Sequence, residues 1–398
     1  MLPTHPTARK LAVKVPVVYS NMPNADVLDI FDSHRHLVSL PVLEGHQPIG
    51  LISRHIFMSE MSKPYYRELY EKKSCIAFMD KSPLIVEVDT PIETLAALAV
   101  DYGDKTLADG FLLVENGVFA GLGAGLDLMH ALLDLQTEKN RQVMQSIDYA
   151  STIQRAMLEE SSKTLTTTLA DAHIIWDPRD IVGGDFYHFT TYSHGWFCAI
   201  ADCTGHGVPG AFLTLIASSA LSHALNQHGP TDPGLIMASV NRAIKQALGQ
   251  HTANEVQGSN DGMDALFMWF DHTTHRLSSA HANMSLFVIE QNALSVATIK
   301  GSRTGAGYAD TPSDYHWANQ VNHMPPGTLI CCSTDGLIDQ IGGSKHIAYG
   351  KRRLCDSLLE QAHGSTRDVA QHVMQQLHIY QGTQRRRDDL TLLCLRIN

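Results

Sequence analysis

The first third of the chain shows the same alternation of apolar and polar positions twice. In the first copy, an apolar run at 15–19 is followed by a helical apolar face with Asn24 as its N-cap, and then by two strand-like runs around a turn at 44–46. The second copy has a strand-like run at 84–88, a helical face and two strand-like runs around a turn at 115–117. Apolar side chains at every second residue indicate strands, and those at every third or fourth residue indicate helices. The pattern predicts two copies of one βαββα unit.

A long amphipathic helix is predicted next, at residues 127–162. Its apolar positions recur every three or four residues without a Pro or Gly between them: Val143, Ile147, Ala150, Ile153 and Met157. Such a stripe needs another surface to cover it. The helix either packs on its own domain or pairs across a dimer, and in the second case it would link the two halves of the chain.

The pattern then changes to short strand-like runs separated by polar turns, with two clear helices at 211–225 and 233–248. Two antiparallel sheets with helices packed outside them would bury these apolar faces. We therefore predict an α+β fold. Its parts are an N-terminal domain of two repeats at 1–126, the linker helix at 127–162 and an αββα sandwich at 163–398.

Composition and charge narrow the class of protein. The 398 residues carry a formal net charge of −11 and no long basic run, so nucleic acid is not the expected partner and a metal-dependent nuclease is disfavoured. The seven cysteines form no Cys-x-x-Cys pair, which fits a reducing compartment. The N-terminus lacks the apolar core of a signal peptide, and no run of 18 apolar residues occurs. We expect a cytoplasmic protein without a membrane span.

Four aspartates stand at the edges of apolar runs that are far apart in the sequence: Asp185, Asp202, Asp335 and Asp388. Several acids at one cleft repel one another unless a cation compensates them. Carboxylates without a Cys or His set favour Mg²⁺ or Mn²⁺ over zinc. Two such ions about 4 Å apart can lower the pKa of a shared hydroxide and hold a phosphoryl oxygen, which points to hydrolysis of a phosphate ester. Four unrelated turn aspartates are the alternative.

At these residues the chain resembles the PPM-type (protein phosphatase 2C-like) metal-dependent Ser/Thr phosphatases, in the bacterial branch of sporulation stage II protein E. The resemblance covers about residues 146–398. It rests on six segments: Ile153-Gln-Arg-Ala-Met-Leu, Asp180-Ile-Val-Gly-Gly-Asp-Phe-Tyr, Asp202-Cys-Thr-Gly-His-Gly-Val-Pro-Gly-Ala-Phe, Asp261-Gly-Met-Asp, Ser333-Thr-Asp-Gly-Leu-Ile-Asp-Gln and Arg387-Asp-Asp-Leu-Thr.

The resemblance implies a role for each matching residue. Asp202 would bridge two Mn²⁺ or Mg²⁺ ions, and the backbone carbonyl of Cys203 would complete the shell of the second ion. Asp335 and Asp388 would bind the first ion, while Asp185 would act through a metal-bound water. A hydroxide that bridges the ions would attack phosphorus directly, so no protein nucleophile is needed.

Other polar residues near these segments have two interpretations each. Asp264 is either a ligand of a third metal ion or a structural residue at the start of a strand. Arg179 either meets the substrate phosphate, to which a guanidinium is suited, or forms a surface salt bridge. His206 is interpreted as a turn histidine that bonds the backbone, in preference to a general acid. The polar loop at 249–262 could act as a lid over the substrate.

The two N-terminal repeats resemble a tandem pair of cystathionine-β-synthase (CBS) domains over about residues 12–133. The resemblance rests on two segments: Leu40-Pro-Val-Leu-Glu-Gly-His-Gln-Pro-Ile-Gly-Leu-Ile-Ser and Val114-Glu-Asn-Gly-Val-Phe-Ala-Gly-Leu. Many such pairs bind adenine nucleotides through a Gly-x-x-Ser/Thr-x-x-Asp segment. Each repeat matches half of it, which assigns Ser53 and Asp127 to the nucleotide, with Ile56 and Ala124 at the unmatched positions. A dimerising or signal-relaying pair is the alternative.

Together these features predict a Mn²⁺- or Mg²⁺-dependent phosphatase that hydrolyses phosphoserine or phosphothreonine on a protein. The CBS pair would regulate it through the linker helix, and the protein would be a homodimer. Relatives of this branch often act on small STAS-domain anti-sigma antagonists, so the resemblance implies a partner-switching pathway. The alternative is a signal-sensing module whose phosphatase half mainly docks partners. A degenerate docking half is expected to lose some of the four acids, and this chain keeps them all.

Overall fold

The computed structural model describes residues 6–250 and 260–398, so the loop predicted as a lid at 249–262 lies mostly outside the described residues. The chain divides into two compact units, Met1–Val143 and Met144–Asn398. Both units combine helices with β-sheets, and the predicted α+β class is confirmed.

The first unit contains two three-stranded sheets with the same connections. Its strands are β1 (Val18–Tyr19), β2 (Ser39–Glu44), β3 (Gln47–Ser53), β4 (Ile85–Glu87), β5 (Phe111–Glu115) and β6 (Val118–Gly123). In the orders β1-β2-β3 and β4-β5-β6, the first pair is parallel and the second antiparallel. The second strand of each sheet carries an irregularity at the corresponding place, between Val42 and Leu43 and between Leu113 and Val114. This repetition is the internal repeat that the sequence predicts.

Short helices cover these sheets: α1 (Asn24–Ser33), α2 (Arg54–Met61), α3 (Tyr66–Tyr70), α4 (Ile92–Tyr102) and α5 (Asp104–Asp109), with 3₁₀ turns at Ala8–Leu11 and Cys75–Phe78. The predicted N-cap of α1 is wrong. Asn24 is the first helical residue, and Pro23 precedes it at the cap position. The side chain of Asn24 is buried and donates to the carbonyl of Tyr70 at 2.9 Å, so a tertiary contact uses the amide that a cap would have used.

A single helix, α6 (Gly125–Thr168), continues across the boundary between the units and is slightly longer than predicted. Within the second unit, its apolar residues Leu158 and Leu165 join the main core. Three polar side chains on the same stretch are also buried: Ser151, Gln154 and Ser161. The helix therefore belongs to the packed structure of the second unit over this part of its length.

The second unit contains two five-stranded antiparallel sheets and one short hairpin. Its strands are β7 (Ala172–Asp177), β8 (Asp185–Tyr192), β9 (Gly195–Cys203), β10 (Met263–Asp271), β11 (Arg276–Ala282), β12 (Ser285–Ile289), β13 (Ala297–Lys300), β14 (Gln320–His323), β15 (Leu329–Ser333), β16 (Ile341–Gly342), β17 (Ile347–Ala348) and β18 (Leu390–Arg396). The first sheet has the order β14-β11-β10-β9-β8, and the second has the order β13-β12-β15-β18-β7.

Helices lie outside both sheets, as an αββα sandwich requires. They are α7 (Gly207–His228), α8 (Pro233–Leu248), α9 (Asp335–Ile338), α10 (Gly350–Glu360) and α11 (Thr366–Gln381). Strand β15 shows the layering: Ile330 and Cys332 face the core between the sheets, whereas Leu329 and Cys331 face the core under α10 and α11. Alternate side chains of a strand point to opposite faces, so one apolar strand serves both layers.

Helix α7 is nearly apolar throughout and is long enough to cross a membrane, the one such helix among the described residues. Its buried residues pack in the main core with those of α8 and of the first sheet: Leu213, Ala217, Leu221, Ala224 and Leu225. This is the packing of a core helix, whose apolar composition is explained by burial.

Candidate metal centre

Three of the predicted acids form one row across the first sheet. Asp202 stands near the end of β9, opposite Asp185 of β8 on one side and opposite Asp264 of β10 on the other. Directly opposed residues of antiparallel strands project their side chains to the same face, about 5 Å apart. The seven preceding residues of β9, from Gly195 to Ala201, are all buried, so the strand holds Asp202 rigidly at the edge of the core.

The second sheet contributes the other two acids. Asp335 is the first residue of α9, two positions after β15, and Asp388 lies two positions before β18. These strands are paired, with Ser333 opposite Leu392. The hydroxyls of Thr334 and Thr391 donate to Oδ2 of Asp185 at 2.7 and 2.8 Å. The four acids predicted from separate segments are therefore brought together where the two sheets meet.

The acids line a site that is closed at Asp185 and open at Asp335. Asp185 is completely buried, Asp202 and Asp388 are half-buried, and Asp335 is exposed. The pKa of Asp185 is raised to about 8. Burial is the main cause and the nearby carboxyls of Asp389 and Asp335 add to it, whereas the two threonine hydroxyls oppose it.

The pKa values of Asp202 and Asp335 are raised as well. Burial and then the carboxyl of Asp185 raise the pKa of Asp202, and partial burial and then Asp388 raise the pKa of Asp335. The carboxyls of Asp202 and Asp335 lie close enough to shift each other's pKa. Without a cation, their mutual repulsion favours the protonated forms of Asp202 and Asp335.

The residues present fit divalent metal ions. Oδ1 of Asp185 is buried and has no hydrogen-bond partner among the described residues, which is the state expected of an oxygen that awaits a cation. The donors are carboxylate oxygens, as Mg²⁺ and Mn²⁺ prefer. Within residues 6–250 and 260–398, no three His, Cys, Asp or Glu side chains already enclose one point as metal ligands do. A metal ion held at this site would require the carboxylates to rotate towards it.

The turn before Asp185 explains why two glycines precede it. A Cβ on Gly184 would lie 2.5 Å from the carbonyl oxygen of Gly205 and 2.6 Å from that of Cys203, so no side chain fits there. Cys203 itself donates its N–H to the carbonyl of Gly184 at 3.1 Å. The carbonyl of Cys203, the predicted metal ligand, therefore lies directly against the turn that presents Asp185.

Asp389 is a functional residue that the sequence analysis missed. Its carboxylate accepts from the N–H of Gly184 at 2.7 Å and from the N–H of Arg179 at 2.6 Å, so it holds the turn from the opposite side. Asp389 is buried. The Asp-Asp doublet at 388–389 was the available signal, because one carboxylate faces the acids while its neighbour supports the backbone.

Asp264 lies in the row of acids but already has partners. Asn283 donates to its Oδ1 at 2.8 Å, and the hydroxyl of Tyr308 lies 3.4 Å from the same atom. Its other carboxylate oxygen is left for another contact. Both interpretations of Asp264, a structural residue or a ligand of a third ion, fit this geometry.

Arg179 and His206 lie on loops beside the site. The Arg179 guanidinium donates to the carbonyl of Arg387 at 3.0 Å, next to Asp388. His206 does not bond the backbone as predicted, because its Nδ1 lies 2.8 Å from Oδ2 of Asp180. Both partners of this pair are substantially exposed, so it contributes little to stability.

In the first unit, the two residues assigned to a nucleotide are differently placed. Ser53 is buried and donates to Oδ1 of Asp109 at 2.6 Å. Ser53 and Asp109 line a groove of about 700 Å³ that also includes Val38, His55 and Ser59. Asp127 is an exposed residue in the first turn of α6 and is not part of this groove.

Comparison with known proteins agrees with the phosphatase assignment and with a CBS domain in the first repeat. The profile of Stage II sporulation protein E (SpoIIE) matches residues 192–398, and the profile of the CBS domain matches residues 9–63. The phosphoserine phosphatase RsbU of Bacillus subtilis (strain 168) is 23% identical over 224 residues, which are 56% of this chain and 61% of RsbU. The structure of the SiaA-PP2C domain of Pseudomonas aeruginosa aligns with a TM-score of 0.58 at 34% identity, over 65% of this chain and 99% of that domain.

Proposed function

This chain belongs to the Stage II sporulation protein E family, and from that premise we propose that it is a divalent-metal-dependent phosphatase acting on phosphoserine in a protein. The observation that carries the proposal is the gathering of Asp185, Asp202, Asp335 and Asp388 at the junction of the two sheets. Phosphoserine is favoured over phosphothreonine because the similar protein RsbU is named for it. The match spans only 61% of RsbU, so substrate and partners are inferences for this chain.

The residues of the site would have different roles according to their positions. Asp202, at the centre of the row, would touch both ions, with Asp335 and Asp388 on the open side and Asp185 beneath. Thr334 and Thr391 fix the Asp185 carboxylate through one oxygen, leaving the other for the ions. Bound divalent ions supply an acidified water and stabilise charge on the phosphoryl oxygens. Arg179, beside Asp388, would orient the phosphate of the substrate.

A test of the function is phosphate release from a phosphorylated STAS-domain protein, the substrate class that the family resemblance implies. We expect release with Mn²⁺ and none with EDTA, because bound ions would supply the activated water. A phosphotyrosine peptide serves as the control substrate. If the chain binds the phosphoprotein but releases no phosphate with Mn²⁺ or Mg²⁺, the docking alternative replaces the enzyme.

Regulation through α6 is part of the proposal. The helix exposes apolar side chains along much of its length: Leu126, Met129, Leu133, Val143, Met144, Tyr149 and Ile153. A 44-residue helix with this much exposed apolar surface is expected to pair with another helix. We infer that a second copy of α6 covers it, so that the protein is a homodimer.

We also infer that the groove at Ser53 binds an adenine nucleotide. In the first repeat, Ile56 stands where the nucleotide-binding segment has a carboxylate. Asp109 of the second repeat supplies a carboxylate instead, since its Oδ1 lies 2.6 Å from the Ser53 hydroxyl. A carboxylate beside a hydroxyl can accept hydrogen bonds from ribose. Arg54 cannot serve the phosphates without rearrangement, because it donates to the carbonyls of Leu37, Phe31 and His34. The remaining basic group in the lining is His55.

Adding AMP or ATP is expected to change the phosphatase rate of the full chain about fivefold or more, the lower end of ordinary allosteric coupling. Removal of residues 1–125 should abolish this response, and the mass in light scattering reports whether the dimer survives. Ser53→Leu, which fills the groove, should also abolish the response while leaving the basal rate unchanged. An identical rate, an identical response to nucleotide and the same number of chains per particle after the deletion would contradict regulation by the first unit.

A further inference from the structure

The chain contains two runs of three consecutive basic residues, at 351–353 and at 385–387. In the first run, the Lys351 ammonium donates to a serine hydroxyl at 2.8 Å, and the Arg353 guanidinium lies 4.5 Å from the centre of an aromatic ring. In the second run, the middle residue, Arg386, donates to the carboxylate of the last residue of β7 at 2.9 Å. The two outer arginines of this second run are placed differently.

Arg385 and Arg387 are exposed although the backbone that carries them is fixed. The side chain of Gln340 is fully buried. It donates to the carbonyl of Arg385 at 3.1 Å and accepts from the N–H of Arg387 at 3.3 Å. Exposed, partly buried and exposed side chains alternate at 385–387, as they do along an extended chain. In the part of the chain that the structure describes, neither outer guanidinium forms a salt bridge.

Two more exposed cations lie next to this segment. The Arg179 guanidinium donates to the carbonyl of Arg387 at 3.0 Å. The side-chain nitrogen of Gln384 lies 3.2 Å from Nδ1 of His346, so the turn between β16 and β17 contacts the segment, and Lys345 in this turn is exposed. We refer to these four cations as the basic rim: Arg179, Lys345, Arg385 and Arg387.

The basic rim borders the metal centre on one side. Arg387 directly precedes Asp388, and the backbone N–H of Arg179 donates to Asp389 at 2.6 Å. A protein segment whose phosphoserine reaches the acids from this side must run along the rim. The chain as a whole carries a net charge of −11, and unpaired cations of one sign repel one another. The stability of the fold therefore does not account for this cluster.

We propose that the basic rim is the docking surface for acidic residues that flank the phosphoserine of the substrate protein. This inference rests on the proposed function and adds the chemistry of the substrate: Asp and Glu within a few residues of the phosphate. Side chains two positions apart in an extended chain lie about 6–7 Å apart on one face, so Arg385 and Arg387 match carboxylates at alternate positions of an extended segment. A guanidinium suits a carboxylate, and charges at the rim of an interface mainly select the partner and speed association.

The test uses synthetic phosphoserine peptides of equal length that differ only at the positions flanking the phosphoserine, which are all Glu, all Gln or all Lys. Each peptide competes with the Mn²⁺-dependent hydrolysis of p-nitrophenyl phosphate by the full chain, and the concentration for half-inhibition is measured. Competition reports binding whether or not the peptide is cleaved. If the chain hydrolyses only the peptides, their kcat/KM values are compared instead.

The variant is Arg385→Glu, and Arg367→Glu is the matched control with the same change of charge. Arg367 is an exposed arginine in the first turn of α11. The preceding residue, Thr366, bonds Asp171 at the start of β7, whereas the metal centre lies beyond the other end of this strand, at Asp177. Circular dichroism checks that both variants are folded.

We expect the Glu-flanked peptide to inhibit wild type at about three- to tenfold lower concentration than the Gln-flanked peptide, as a few exposed charge pairs allow, with the Lys-flanked peptide weakest. This preference should fade in about 1 M salt, where charges are screened beyond about 3 Å. Arg385→Glu should lose most of the preference, and Arg367→Glu should keep it.

Equal inhibition by the three peptides at low salt overturns the inference, while hydrolysis of p-nitrophenyl phosphate still supports the proposed function. An undiminished preference in Arg385→Glu, or an equal loss of preference in both variants, overturns it as well, because the attraction then lies elsewhere or is general. If wild type with Mn²⁺ releases phosphate neither from p-nitrophenyl phosphate nor from any peptide, the proposed function fails and this inference fails with it.

Discussion

Asp202→Asn is expected to lower the Mn²⁺-dependent rate of phosphate release by at least about 100-fold, since changes in groups that merely support metal ligands already cost about 10–100-fold. Asp202 is the central acid of the row, with Asp185 and Asp264 opposite it on the flanking strands. Besides burial, the nearby carboxyl of Asp335, from the second sheet, is among the causes that raise its pKa. An amide at this position supplies no charge to the ions.

The substitution hardly changes the shape of the side chain, so the folded structure should survive. Asp271→Asn is the matched control, because Asp271 ends β10 at the opposite end from Asp264 and only caps the turn at Thr273 and Thr274. Initial rates are measured on the same phosphoprotein with saturating Mn²⁺, and circular dichroism checks the fold. Full activity in Asp202→Asn would remove it from the metal centre, and equal loss in Asp271→Asn would indicate a general structural effect.

Without metal ions, the second unit should become less stable as the pH rises from about 5 to 8. Burial, partly opposed by the hydroxyls of Thr334 and Thr391, and neighbouring acids raise the pKa of Asp185 to about 8, against about 3.9 for an unfolded Asp. Between these values the folded protein binds more protons than the unfolded chain. The free energy of unfolding therefore falls as the pH rises through this window, and the lost stability is fully present only below about pH 4.

The size of this effect is measurable by thermal unfolding. If the folded state binds one proton more than the unfolded chain, the free energy of unfolding changes by about 2.7 kcal/mol over two pH units. This corresponds to about 5–10 °C in the unfolding midpoint of a unit this large. Mn²⁺ should raise the midpoint at pH 8 and reduce its dependence on pH, because the ions replace the protons. Asp185→Asn, scanned with EDTA, should show a flatter dependence than wild type. A metal-free protein that is more stable at pH 8 than at pH 5 would contradict this electrostatic account.

Strand periodicity and turn chemistry were sufficient to predict the layers of the second unit. In β9 the apolar run ends directly before Asp202, and Asp335 follows the end of β15 by two positions, so the placement of both acids near strand ends could be predicted locally. The sequence could not predict that these acids lie together. Their proximity depends on the pairing of β15 with β18 and on two threonines that reach Asp185 from the other sheet, which are long-range contacts without a local signal.

Buried polar side chains account for most of what was missed. Gln154 and Ser161 read as members of the polar face of an amphipathic helix, yet each bonds the backbone beside or within β8. Asn24 read as a helix cap, and its amide instead bonds the carbonyl of Tyr70. Asp109 drew no attention because the carboxylate was sought at position 56. In each case the residue type suits a local role as well as a tertiary one, and only the folded structure shows which partner the side chain bonds.

The central claim is that four acids from distant strands hold divalent metal ions, and counting bound Mn²⁺ tests it most directly. Titration of the full chain with Mn²⁺, followed by the paramagnetic resonance of the free ion, is compared for wild type, Asp202→Asn and the control Asp271→Asn. We predict two bound Mn²⁺ ions per chain in wild type and in Asp271→Asn, and the loss of tight binding in Asp202→Asn. The same number of ions bound with the same affinity by Asp202→Asn, or no binding by wild type, would contradict the claim.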